Sequence, residues 1–166
     1  LGMQNVEEIA ASTPRLEAMI FGMGDYSASQ GLDFTAMFGP DYRYPGDVFH
    51  YAKFRVAMAA RARGIDAIDG PFANIANLEA YRESCLQARA LGMVGKWALH
   101  PTQVEHAQET FTPDRSRIDE ARKMTAAYEE SLAEGRGAVM IDGKFADAAT
   151  VRHMANVLDL ADLYGL

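Results

Sequence analysis

The fold of this chain is organised around residues 16–31, which read LEAMIFGMGDYSASQG. An apolar run of strand length leads into Gly22 and Gly24, and the carboxylate of Asp25 follows at once. Parallel α/β folds carry their chemistry at the carboxyl ends of buried strands, and glycines there let a ligand approach the backbone N–H groups. The pattern therefore predicts a buried strand that presents Asp25, although an aspartate that only caps a turn would give the same local pattern.

Composition and charge exclude several classes of protein. The 166 residues are 49% hydrophobic and 23% charged, as in an ordinary globular protein with a real core. The formal net charge of −7 argues against nucleic acid as a partner, because phosphate binding needs clustered Lys and Arg. Without an apolar run of about 18 residues or a signal peptide, no membrane partner is expected and a cytoplasmic location is the default. The single Cys85, which forms no internal disulfide, agrees with that and is interpreted as a packing residue.

The start of the chain predicts that a longer polypeptide precedes it. The sequence opens at Leu1 without a methionine, and a helical pattern already runs from Asn5 to Ala11. We therefore expect these residues to be the later part of a longer protein.

Strand and helix signals then alternate three times. Strands are predicted at 18–22, 65–69 and 95–99, with helices at 48–63 and 77–91 and a Thr102–Glu105 capping box opening another. The first helix carries Phe54, Met58 and Ala62 at helical spacing. The alternation predicts parallel strands with right-handed crossovers, and the even spacing favours part of a (β/α)8 TIM barrel over a doubly wound sheet without deciding between them.

Two further segments differ from this alternation. A long loop is predicted from Ser27 to Gly46, whose aromatic residues either pin it to the surface or contact a ligand; they are Phe34, Phe38, Tyr42 and Tyr44. After Phe111, Thr112 and Pro113 predict the start of a long helix to about Glu134. A hairpin centred on Asp142-Gly143 and a last helix from Asp147 complete a helix-hairpin-helix extension.

Few residues are candidates for chemistry. Asp25 suits Mg²⁺, a hard cation that often takes one or two protein carboxylates and leaves its other positions to substrate and water. His100 follows a predicted strand and either acts in the site or forms a structural hydrogen bond. Asp69 also ends a predicted strand, and Asp147 is at least the N-cap of the last helix, which would suffice without any catalysis.

Five motifs carry a resemblance to a known family. They are FGMGDYSAS at 21–29, YPGD at 44–47, AIDGP at 67–71, GKWALHPTQ at 95–103 and DGKFAD at 142–147. Together they resemble the HpcH/HpaI aldolase and citrate lyase β superfamily, and within it the malyl-CoA lyases. The likeness extends over essentially the whole chain, and the last two motifs are specific to the acyl-CoA branch.

The resemblance implies a fold and an activity. We expect residues 1–111 to be the C-terminal part of a TIM barrel, and residues 112–166 an extension subdomain that contacts a neighbouring subunit. The implied reaction is the reversible Mg²⁺-dependent cleavage of malyl-CoA to acetyl-CoA and glyoxylate, with β-methylmalyl-CoA, which gives propionyl-CoA, as a second substrate. Mn²⁺ is the alternative ion, and a homotrimer or homohexamer is the expected assembly.

The resemblance also implies roles for particular residues. Asp25 matches the metal-binding aspartate. Asp147 matches an acid that enters the active site of a neighbouring subunit and acts as base on the acetyl methyl. Substrate contacts are implied for two short segments. Met23 and Gly24 lie at the strand end that holds the oxoacid carboxylate. The CoA thioester arm lies along the second segment, which consists of Ala98, Leu99, His100 and Pro101.

Some of the family's functional residues are expected before Leu1. These are a second metal ligand, a glutamate, together with an arginine that polarises the aldehyde and basic residues that bind the CoA phosphates. We therefore predict that the 166 residues alone do not turn over substrate. Three alternatives stay open: a citrate lyase β-type lyase, a malyl-CoA thioesterase and, in a different class, a non-catalytic assembly segment.

Overall fold

The structure, a computed structural model, describes residues 1–33 and 44–166. The chain divides into two compact units, Leu1–Phe111 and Thr112–Leu166. The predicted loop aromatics Phe34, Phe38 and Tyr42 lie outside the described residues. Within the described ranges, no helix is long and apolar enough to cross a bilayer.

The first unit alternates helices with three short parallel strands in the order β1-β2-β3. Its elements are α1 (Val6–Ala10), β1 (Ala18–Ile20), α2 (Met23–Gln30), α3 (His50–Arg63), β2 (Asp66–Asp69), α4 (Leu78–Ala90), β3 (Gly95–Lys96) and α5 (Pro101–Phe111). Met19 pairs with Ala67, and Asp69 pairs with Lys96. This is the α/β fold that the alternation predicts.

The core of this unit lies on one face of the sheet. Met19 and Ala67 pack there against helical side chains such as Ala60, Tyr81 and Cys85. Ile20 points to the opposite face, because side chains alternate along a strand, and it is 53% exposed. The prediction of a buried first strand is therefore wrong for one face of β1.

The segment after β1 differs from the prediction. Ser27–Gln30 is not the start of a loop, since it is the last part of α2, which Gly31 ends in a left-handed conformation with φ 66°. Asp25 accordingly lies in the first turn of a helix, directly after the strand. Alternating small and polar residues hid this helix, because they lack the apolar stripe by which an amphipathic helix is recognised.

Three smaller predictions also need correction. β3 ends at Lys96, not Leu99, and α5 begins at Pro101, so Thr102 lies inside the helix and does not cap it. In α3 the buried residues include Ala52, Val56 and Ala60, whereas Phe54 and Met58 are 44% and 50% exposed. The small alanines allow close packing of α3 on neighbouring elements, and this outweighs the size of the larger apolar side chains.

The second unit contains α6 (Arg115–Ala133), β4 (Ala138–Ile141), β5 (Lys144–Asp147) and α7 (Ala148–Tyr164). The strands form an antiparallel hairpin whose turn residues Asp142 and Gly143 have φ 50° and 76°, as a type I′ turn requires. The N-cap of α6 is Asp114 rather than Thr112, and its carboxylate accepts the N–H of Arg117 at 2.9 Å. Ile118, Ala121 and Met124 form the buried face of α6.

Candidate active site

The carboxyl ends of the three parallel strands meet at one edge of the sheet. The segment after β1 carries Gly24 and Asp25, the segment after β2 carries Gly70 and Pro71, and the segment after β3 leads to Leu99. Parallel pairing in the order β1-β2-β3 therefore brings Asp25 to the same edge as the Ala98–Pro101 segment, with β2 between them.

Asp25 lies at the start of α2, directly after β1. Its side chain is exposed in the first turn of α2, and it makes no hydrogen bond or ion pair with the residues that the structure describes. The positive end of the helix dipole favours a carboxylate in the first turn. An exposed carboxylate fits one ligand position of Mg²⁺, which prefers oxygen donors and keeps several water or substrate ligands.

The described residues supply only part of such a centre. In residues 1–33 and 44–166 there is no group of three His, Cys, Asp or Glu side chains that could hold a metal ion. Asp25 therefore fits Mg²⁺ as a single protein ligand, with the remaining donors coming from substrate, water or other residues of the protein.

Gly24 and Met23 lie beside Asp25 at the start of α2. Gly24 is exposed, and a Cβ atom built on it would meet nothing within 4 Å, so there is open space beside its α-carbon. The first N–H groups of a helix have no partner within the helix and attract anions. Met23 is half-buried and lines a cavity of about 660 Å³, together with Asp47, Lys53, Phe72 and Lys96.

The Ala98–Pro101 segment leads from β3 into α5, which begins at Pro101. Leu99 is 45% exposed, and its N–H donates to the buried side chain of Gln103 at 2.8 Å. His100 is exposed, and its Nδ1 lies 2.9 Å from the hydroxyl of Thr102 and accepts the N–H of the same residue. His100 therefore forms local hydrogen bonds, which was one of the two alternatives that the sequence left open. Leu99 has an exposed apolar side chain at the sheet edge.

A buried charged cluster lies beneath this edge, and we name it the Asp69 cluster: Asp47, Lys53, Asp69 and Lys96. Lys96 Nζ lies 2.5 Å from Asp69 Oδ2, and Lys53 Nζ lies 3.5 Å from the same oxygen and 2.9 Å from Asp47 Oδ2. The side chains of Asp69 and Lys96 are only 1% and 2% exposed. Sequence reasoning missed this cluster, although Asp69 ends one predicted strand, Lys96 lies in the next, and parallel pairing brings such neighbouring strands side by side.

Burial shifts the pKa values of three groups around Asp69. It lowers the pKa of Lys96, and the adjacent Asp69 carboxylate opposes this shift. Tyr81 and Cys85 are fully buried next to this pair, and burial raises the pKa of both. The Cys85 thiol is therefore neutral and unreactive at neutral pH, as expected of a packing residue.

Asp147 lies in the second unit, at the junction of β5 and α7. Its carboxylate accepts the Thr150 N–H at 2.8 Å and lies 3.0 Å from the Thr150 hydroxyl. These bonds, the backbone N–H first, hold the pKa of Asp147 below its usual value. Asp147 is therefore an N-cap that is ionised at neutral pH.

The comparison with known proteins establishes the class. A family model described as HpcH/HpaI aldolase/citrate lyase matches residues 1–101, and the chain belongs to this family of aldolases and lyases. Among curated relatives, the L-malyl-CoA/beta-methylmalyl-CoA lyase of Rhodobacter capsulatus is 39% identical over 98% of this chain and 54% of its own length. The resemblance drawn from the motifs is thereby confirmed.

Two further relatives are informative. The (3S)-malyl-CoA thioesterase of Cereibacter sphaeroides is 34% identical over 89% of this chain and 48% of its own length. The crystal structure of the protein CitE from Mycobacterium tuberculosis, in complex with magnesium, acetoacetate and coenzyme A, aligns with a TM-score of 0.76 at 27% identity, covering 97% of this chain and 57% of its own. This chain spans about half the length of the curated relatives that it matches.

Proposed function

We propose that the full-length protein carrying this chain is a Mg²⁺-dependent carbon–carbon lyase. Its substrate would be malyl-CoA, cleaved reversibly to acetyl-CoA and glyoxylate, with β-methylmalyl-CoA giving propionyl-CoA and glyoxylate. The observation that carries the proposal is the chain-long similarity to the lyase of Rhodobacter capsulatus. The exposed Asp25, at the same sheet edge as Ala98–Pro101, supports it.

The first unit is proposed to be the closing part of a TIM barrel, and the second an extension that reaches a neighbouring subunit of a trimer or hexamer. The half-exposed Ile20 on the outer strand β1 supports the first statement, because a further strand and the barrel interior would cover it. The similarity to family members supports the second.

In the proposed reaction Asp25 holds the Mg²⁺ ion, or Mn²⁺ in its place. The bound ion would supply Lewis-acid polarisation of the aldehyde oxygen. The backbone N–H of Gly24 is proposed to bind the oxoacid carboxylate, with Met23, which lines the cavity, next to it in the chain. Ala98, Leu99, His100 and Pro101 are proposed to lie along the CoA thioester arm, with the exposed Leu99 side chain giving apolar contact.

Asp147 is proposed to move the proton. In the condensation direction its carboxylate removes a proton from the acetyl methyl group, the methyl carbon bonds to the aldehyde carbon of glyoxylate, and the aldehyde oxygen takes a proton from solvent. In the cleavage direction the hydroxyl of malyl-CoA loses its proton to solvent, the carbon–carbon bond breaks, and protonated Asp147 returns its proton to the methyl carbon. Asp147 is ionised at neutral pH, as a base must be before it accepts a proton.

The products separate this function from its alternatives. Purified full-length protein is incubated with malyl-CoA and Mg²⁺, and glyoxylate and free CoA thiol are both measured. A lyase forms glyoxylate without free thiol, whereas a thioesterase, the activity of one relative, forms free thiol and malate. Citryl-CoA in place of malyl-CoA tests the citrate lyase β-type alternative, and no turnover with no Mg²⁺ binding would indicate an assembly segment.

A further inference from the structure

The paired charges of Asp69 and Lys96 fix the backbone of one residue, Gly70. Asp69 Oδ1 accepts the Gly70 N–H at 2.9 Å, and Lys96 Nζ donates to the Gly70 carbonyl oxygen at 2.9 Å. Both polar groups of this peptide position are therefore held by one buried ion pair. The backbone of Trp97 also donates to the Asp69 carbonyl at 3.0 Å, which anchors the pair to β3.

Gly70 in turn is pressed against the turn that follows β1. A Cβ atom on Gly70 would lie 2.1 Å from the Phe21 carbonyl oxygen and 3.6 Å from the Met23 nitrogen. The Phe21 N–H donates to the Ile68 carbonyl oxygen at 3.1 Å. Residues 68–70 therefore contact this turn twice, through this hydrogen bond and through the close approach of Gly70. Asp25 lies in the first turn of α2, two residues beyond Met23.

The far side of the Asp69 cluster supports the same turn. Lys53 lies between Asp69 and Asp47, and Asp47 Oδ1 accepts the N–H of Phe49 at 2.9 Å. The ring of Phe49 packs 5.8 Å from that of Phe21. Charged and aromatic contacts thus meet beneath the segment that presents Asp25.

Stability alone is a poor explanation for such a pair. Removing two charges from water is expensive, and an apolar pair of similar volume is often as stable or more stable. An ion pair whose two members bind the N–H and the C=O of one glycine supplies geometry that an apolar pair does not. We infer that Asp69 and Lys96 are positioning residues. They hold Gly70 against the Phe21–Met23 turn, and the turn in turn holds Asp25 in the position in which it binds its divalent cation. This inference rests on the proposed function, because it takes Asp25 to be a metal ligand.

The test uses metal-free full-length protein and measures the dissociation constant for Mn²⁺ from the electron paramagnetic resonance of the free ion, with Mg²⁺ as competitor. Lys96→Met and the double variant Asp69→Leu/Lys96→Met are compared with wild type. Both are expected to weaken Mn²⁺ binding about 10- to 100-fold, as loss of a group supporting a metal ligand does. The double variant removes both buried charges and is expected to keep its thermal stability.

Arg55→Met is the matched control, because it removes the cation of the ion pair with Glu7, elsewhere in the same unit. It is expected to leave Mn²⁺ affinity unchanged. Wild-type affinity in a folded double variant would overturn the inference, as would an Asp25→Ala variant that binds Mn²⁺ like wild type. Protein that binds Mn²⁺ through Asp25 but cleaves no malyl-CoA would contradict the proposed function alone, since the binding comparison still decides the role of the pair.

Discussion

At the scale of single residues, Gly70 is constrained by space and not by its backbone angles. The nearest obstacle to a side chain is the backbone carbonyl of Phe21, which cannot move aside as a flexible side chain would. Gly95 offers a contrast in the neighbouring strand, because a Cβ there would meet only the Ile68 side chain at 3.9 Å, an ordinary contact. The two glycines therefore differ in how much substitution they tolerate.

We expect Gly70→Ala to lower the free energy of unfolding by about 1–3 kcal/mol, the usual penalty for overpacking a tight site. Gly95→Ala is expected to have a smaller effect. Denaturant unfolding of the full-length protein measures both. Equal stability losses in the two variants would contradict the close approach between Gly70 and Phe21.

Asp147 has two roles at one carboxylate, a helix cap seen in the structure and a base proposed for the reaction. We expect Asp147→Asn to keep the fold, because the Asn side chain still accepts the Thr150 N–H and remains a good N-cap. The rate of carbon–carbon cleavage is expected to fall about 10²- to 10⁴-fold, the range attributed to general acid–base catalysis. Mg²⁺ affinity should not change. A near-normal cleavage rate would remove Asp147 from the mechanism.

At the scale of elements, single residues at particular positions decide where each helix begins and ends. Asp114 caps α6, and Gly31 and Gly64 end α2 and α3 in the left-handed conformation. Gly64 and Asn77 directly fit the predicted helix bounds of 48–63 and 77–91, because glycine favours the left-handed conformation that ends a helix and the Asn77 side chain accepts the Ala80 N–H as a cap. The cap of α6 was not predictable, since Thr112, Pro113 and Asp114 all favour a helix start and only the fold selects among them.

The Asp114 cap gives a pH dependence of stability. Hydrogen bonds from the Ser116 hydroxyl and the Arg117 N–H lower the pKa of Asp114 in the folded state. A carboxyl group with a lowered folded pKa stabilises the protein above its unfolded pKa of about 3.9, and this contribution is lost as the pH falls through the lower folded value.

Wild type is therefore expected to melt at a higher temperature than Asp114→Asn at neutral pH, because the ionised carboxylate also interacts with the helix dipole. The difference should shrink below about pH 4 as the carboxylate is protonated. Thermal unfolding monitored by circular dichroism across that range measures this. A difference independent of pH would mean that the charge of Asp114 contributes nothing.

At the scale of the whole molecule, a catalytic centre shared between subunits is proposed. Asp25 belongs to the first unit and Asp147 to the second. If Asp147 serves a neighbouring subunit, full-length Asp25→Ala and Asp147→Asn proteins should each be inactive alone. Co-expressed as mixed oligomers, they should regain activity, because some sites then receive one intact Asp25 and one intact Asp147. Mixed oligomers without activity would argue that both residues act within one chain.

The 166-residue chain alone is expected to be inactive. Its described residues provide Asp25 but no cluster of three metal-binding side chains. We expect no Mg²⁺-dependent cleavage of malyl-CoA by the purified segment, while the full-length protein is active in the same assay. A measured lyase rate from the segment would show that it holds a complete site.

The sequence by itself determined the alternation of the three strands with the helices that follow β1, apart from α2, together with the family and the position of Asp25 after the first strand, because these follow from local periodicity and from motifs. The roles of Asp25, Asp147 and Ala98–Pro101 stay predictions. Only the tertiary structure joined Asp69 to Lys96, Lys53 and Asp47, and pressed Gly70 against Phe21. These contacts link residues distant along the chain, and they depend on the exact register of the paired strands and on helix packing, which local sequence does not encode.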